Sequence, residues 1–163
     1  MTVNSTRLVS ICDRVINWSI YASLALVPII FAFWQENFNI FELNKLLVFK
    51  SALVLAWLAL LVKITITKQL KLSFDPKILF VLLVLFIYII ANTFLALDPE
   101  QSFFGIYMRQ QGILSLIYYW LYFLLLLFHL RPDQSLRPYL LAIAIGLLPV
   151  LTYAFAQKLG FDP

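Results

Sequence analysis

The sequence predicts an all-helical integral membrane protein with about five transmembrane helices, its amino terminus cytoplasmic and its carboxyl terminus external. Three observations predict this class. The 163 residues are 63% hydrophobic and 12% charged, with a mean hydropathy of +0.94. A soluble domain is usually about 45–50% apolar and about 25% charged, so too few polar side chains exist here to cover a globule, and lipid must solvate most of the chain. The apolar residues gather into five runs, at 18–34, 45–62, 78–97, 113–130 and 139–156, each near the length an α-helix needs to span about 30 Å. Finally, the runs are unbroken rather than alternating, which excludes a membrane β-barrel.

Taken in order, residues 1–17 are mixed and polar, and Trp18 and Trp34 bound the first run as interfacial anchors. That run is too long for a signal-peptide core and ends without a small-residue cleavage site, so it is retained. Pro28 is expected to kink it. The second run carries Lys50 about a turn and a half inside, where its stem can snorkel to the interface or meet a phosphate. Residues 63–77 form a lysine-rich loop. The third run holds fifteen Leu, Ile, Val or Phe, contributing roughly −5 to −9 kcal/mol to insertion. The fourth is crowded with Tyr118, Tyr119, Trp120 and Tyr122, read as an interfacial belt or as a surface that stacks on sugar rings. The fifth is interrupted by Gly146 and Pro149, and 157–163 is a polar end. The chain is one polytopic membrane domain, expected to be the first part of a longer fold.

Five crossings put Arg7, Arg14, Lys63, Lys68, Lys71, Lys77, Arg131 and Arg137 on one side and Lys45, Lys50, Arg109 and Lys158 on the other. Cytoplasmic flanks collect Lys and Arg, so the first side faces the cytoplasm. The net charge of +4 then serves attraction to anionic lipid headgroups rather than to nucleic acid. The single Cys12 excludes an intrachain disulfide and a thiolate cluster. No carboxylate–histidine cluster suited to a metal is visible, and no cofactor is expected. His129 reads as an interfacial cap at the cytoplasmic end of the fourth run.

The stretch from Asp98 to Gly112 lies between two of the runs, on the external side. Phe103, Phe104, Ile106, Tyr107 and Met108 are apolar enough to lie in the interface. Gly105 and Gly112 bracket Arg109 and let the backbone turn or approach a ligand closely. Arg109 holds its charge at every physiological pH and can bind phosphate oxygens in a bidentate fork. At membrane depth a guanidinium needs an anion or a water-filled cavity to meet it. Glu36, Glu42, Asp98, Glu100 and Asp162 are outward carboxylates from which a general base could come, and which one is open.

The string Ser102-Phe-Phe-Gly105-Ile-Tyr107-Met-Arg109-Gln-Gln-Gly112 resembles the signature S-x-x-G-x-Y-x-R-x-x-G of the amino-terminal half of the O-antigen ligase and polymerase family, and Asp98-Pro99 ahead of it fits. Tyr153-Ala-Phe-Ala-Gln157-Lys-Leu-Gly160-Phe-Asp162-Pro163 is similar to the family's Y-x-x-x-Q-x-x-G-x-D-P segment after the fifth helix. The resemblance covers the whole chain but only the first part of the family fold. It implies a bacterial, metal-independent GT-C glycosyltransferase of the inner membrane. Such an enzyme takes a glycan from an undecaprenyl-diphosphate carrier at the outer face and passes it to a sugar or protein acceptor. It further implies that Arg109, with Lys50 as a candidate second cation, holds the diphosphate. The family's long external loop, with further helices, arginines and a histidine, has no counterpart here. The chain by itself is therefore expected to lack an assembled catalytic apparatus, and a partner chain carrying the remaining part is implied. The alternatives are a non-catalytic membrane subunit or truncated remnant of that fold and, against the lack of centrally placed charges, a small transporter.

Overall fold

The computed structural model describes residues 3–30, 42–68, 76–105, 112–130 and 135–160. Among these, 90% are helical and none lies in a strand. The order is α1 (Val3–Ile29), α2 (Glu42–Thr67), α3 (Pro76–Phe94), α4 (Pro99–Phe104), α5 (Ile113–His129) and α6 (Arg137–Lys158). Three segments are long and apolar enough to cross a membrane: Asn44–Thr67, Lys77–Phe94 and Arg137–Lys158. Helix α5 has 17 residues, so it reaches about 25 Å, short of a hydrocarbon core of about 30 Å. Helix α1 is long enough, but its first half carries Arg7, Asp13 and Arg14. Where the sequence predicts five crossings, three thus qualify among the described residues by length and apolarity.

The chain divides into two compact units, residues 1–68 with 133–163, and residues 69–132. In the first unit α1 packs against both α2 and α6. Its buried stripe is Cys12, Ile16, Ser19, Ile20 and Ser23, spaced by threes and fours and therefore on one face. Helix α2 brings Ala52, Leu53, Ala56 and Leu60, and α6 brings Tyr139, Ala142 and Gly146. Small side chains dominate these seams. Between helices in lipid, apolar burial drives little, and close approach of backbones supplies the attraction through dispersion.

At Gly146 the α6 backbone lies close to that of α1. A Cβ there would lie 2.6 Å from the Leu24 carbonyl oxygen and 3.0 Å from that of Ala25. Pro28 has no N–H, so the Leu24 carbonyl lacks its usual intrahelical donor. Pro28 falls in the last turn of α1, which ends at Ile29, rather than in the middle of a helix. Likewise Gly146 and Pro149 do not interrupt α6, which runs unbroken from Arg137 to Lys158.

Polar contacts explain why α1 begins far upstream of residue 18 and α2 continues past residue 62. Asp13 of α1 is ion-paired with Lys63 of α2. The Tyr139 hydroxyl donates to Asn17 Oδ1 at 2.9 Å, and the Tyr139 and Tyr21 rings lie 5.2 Å apart. These partners let charged and amide side chains stay on helices that hydropathy alone would end. Thr65 and Thr67 donate their hydroxyls to the Leu61 and Lys63 carbonyls at 2.8 Å, which occupies groups that otherwise favour a turn. Lys68 then ends α2 with φ 51°, a left-handed residue at the position where glycine is commonest.

In the second unit α5 buries Ile113, Ser115, Leu125 and His129. Phe86 of α3 rests against Trp120 of α5 with ring centroids 4.8 Å apart. Helix α3 stops at Phe94, short of the predicted 97, and residues 95–98 turn. Asp98 is extended, φ −127° and ψ 90°, because the following Pro99 disfavours the helical region for the residue before it.

Candidate functional site

The stretch read as a loop contains a short helix, α4. Its origin is local. Asp98 is the N-cap, its carboxylate accepting from the Gln101 N–H at 3.1 Å, and Pro99 follows at the first helical position, where a missing N–H does no harm. Glu100 lies in the first turn and is exposed, which suits the positive end of a helix. An Asp-Pro-Glu start is a recognisable helix signal, so this element was readable in advance. Asp98, a general-base candidate in the sequence, is thereby engaged as a cap.

Ser102 continues the helix, its N–H donating to the Asp98 carbonyl at 3.1 Å. Phe103 and Phe104 stack edge to face at 5.0 Å. Gly105 then caps α4 with φ 81° and ψ 169°, a combination essentially restricted to glycine. Its N–H returns to the Gln101 carbonyl at 2.8 Å.

Gly112, the N-cap of α5, has an ordinary extended conformation, φ −80° and ψ −175°. Its requirement is space. A Cβ at Gly112 would sit 2.4 Å from the Gly105 nitrogen, 2.4 Å from the Phe103 oxygen and 2.6 Å from the Phe104 carbonyl carbon. All three are backbone atoms that have no side-chain freedom to yield. The chain therefore departs at Gly105 and comes back at Gly112 with the two backbones touching. The sequence assigns these glycines to turning or to close approach to a ligand. At Gly105 the turn is observed, and at Gly112 the close approach is to the chain itself.

Tyr107 and Arg109 lie between those glycines, outside the described residues. Lys50 is half-buried on α2 in the first unit, whereas Ser102, Gly105 and Gly112 belong to the second. Its pairing with Arg109 on one ligand rests on the sequence alone. Glu36 and Asp162 are also outside the described residues, as is the side chain of Glu42.

The second motif is brought together by the end of α6. Gln157 donates its side-chain amide to the Tyr153 hydroxyl at 3.1 Å, an i to i+4 pair on one helical face. The Gln157 carbonyl accepts the Gly160 N–H at 3.0 Å, and Gly160 has φ 86°. The spacing Y-x-x-x-Q-x-x-G thus reads physically as a helix that fastens its last turn and stops at a left-handed glycine. His129 departs from expectation. It sits in the last turn of α5 but is only 5% exposed, so it is enclosed rather than spread on the interface. Nothing in the local sequence signals that. Tyr119 is half exposed, while Tyr118 and Tyr122 are intermediate.

No protein-family model matches the chain, and no curated protein or solved structure matches it either.

Proposed function

We propose that this chain is the donor-binding, amino-terminal part of a bacterial glycosyltransferase that moves a glycan from an undecaprenyl-diphosphate carrier to a sugar or protein acceptor. In this proposal five helices cross the inner membrane with the amino terminus inside, and Arg109 faces the outer surface. The observation that carries it is the glycine clamp. Two positions of the S-x-x-G-x-Y-x-R-x-x-G string, Gly105 and Gly112, are each required by a distinct backbone constraint, and Arg109 lies between them in sequence. Three peptide links from Gly112 hold its Cα within about 11 Å of the clamp. A guanidinium can neutralise the charge that develops on a diphosphate leaving group without a metal. The general base stays open among the outward carboxylates, and a partner chain is proposed to complete the acceptor site.

The test has two arms. Arg109→Cys, labelled with a membrane-impermeant maleimide in intact spheroplasts, is expected to react from outside. Labelling only after lysis inverts the topology and removes the proposal. In cells that depend on the native gene for a surface glycan, Arg109→Ala is expected to abolish transfer and Arg109→Lys to retain part of it. Full activity in both variants removes Arg109 from the chemistry.

A further inference from the structure

We infer that the groove between α1 and α2 holds an acyl chain of an anionic glycerophospholipid, with Arg14 on its phosphate. The groove is open along its length and offers about 600 Å³ of space. Its wall is apolar, formed chiefly by Val15, Trp18 and Ala22 of α1 and Leu47 and Leu55 of α2. On α1 the lining extends from Ile11 to Ala22, about 16 Å along the axis. A slot of that shape fits an extended hydrocarbon chain better than a compact solute.

Charge decides the headgroup. Arg14 lines the same groove and is exposed. Its neighbour Asp13 is ion-paired with Lys63 across to α2. Arg14 places a positive charge at the edge of apolar surface. A guanidinium there calls for an anion, and its planar fork matches phosphate oxygens. Trp18, one turn along the same wall and 67% exposed, is the residue type that settles at headgroup depth. A zwitterionic lipid offers the phosphate but also a cation that repels Arg14, so the site selects for net negative charge. Retention of such a lipid does not require Arg109 to meet a diphosphate.

The full chain would be reconstituted in nanodiscs of equal phosphatidylglycerol and phosphatidylcholine, and the lipids it keeps on release counted by native mass spectrometry. Wild type is expected to keep phosphatidylglycerol with a preference of about fivefold. Arg14→Gln is expected to lose that preference, while Arg14→Lys and the control Arg7→Gln keep most of it. Ser51 is exposed on the groove wall, so Ser51→Phe fills the slot without touching the buried seam and is expected to lower retention of both lipids. A wild-type preference in Arg14→Gln overturns the inference, as does unchanged retention in Ser51→Phe. Disulfide-linked dimers of a Leu55→Cys variant with lipid retention intact would instead seat a second copy in the groove and overturn it too.

Discussion

The two units use long apolar helices for different ends. Of the Asn44–Thr67 span, 22% of the most apolar stretch is buried, and of Arg137–Lys158, 17%; for Lys77–Phe94 the figure is 0%. Yet Lys77–Phe94, in α3, is the most hydropathic of the three. Apolarity therefore marks a helix as fit for lipid without saying whether protein or lipid will cover it. What separates them is size at the seam. Helices α2 and α6 carry Ala52, Ala56, Ala142 and Gly146 in register with α1, whereas α3 is an almost continuous row of bulky Leu, Ile, Val and Phe. Bulky rows hold neighbouring backbones apart, and small ones admit them.

The sharpest way to break this contrast is Gly146→Leu, followed by reversible unfolding in detergent micelles. The side chain would have to displace the α1 backbone at Leu24 and Ala25, so a loss of about 3 kcal/mol or more is expected. Stability near wild type would mean the α1–α6 seam is not closed. In the second unit, Gly105→Ala and Gly112→Ala are each expected to cost about 1–3 kcal/mol, one through backbone strain and the other through collision. Both should raise protease cleavage between positions 105 and 112, and Gly160→Ala, strained at its own φ of 86° but in the other unit, should not. Tyr139→Phe removes the hydrogen bond to Asn17, a loss of about 0.6 kcal/mol by the average of such bonds in membrane proteins. At the small end stands Leu83→Ala on the exposed α3, expected to change folding by less than about 0.5 kcal/mol. A large effect there would show that protein covers α3.

Much of the architecture is legible in the sequence. Helix class, the centres of four of the apolar runs and the whole of α5 to within one residue follow from unbroken apolarity. Boundaries set by partners do not. The upstream reach of α1 depends on Asn17 and Asp13 finding Tyr139 and Lys63, 122 and 50 residues away in sequence. Gly146 reads as a break in sequence because a glycine looks the same whether it loosens its own helix or admits another. At the candidate site, the special conformation of Gly105 is suggested by its residue type, and Asp98-Pro99-Glu100 announces α4. The crowding at Gly112 is not readable, since it comes from Phe103, Phe104 and Gly105 folding back onto it.

The central claim is that the clamp presents Arg109 to a lipid diphosphate. Its most direct test is equilibrium binding of undecaprenyl diphosphate to the purified chain in nanodiscs, comparing wild type with Arg109→Ala and Arg109→Lys. A charge-assisted hydrogen bond contributes about 1.5–3 kcal/mol, so at least about a tenfold weakening is predicted for Arg109→Ala, with Arg109→Lys between the two. Indistinguishable affinities across all three would contradict it.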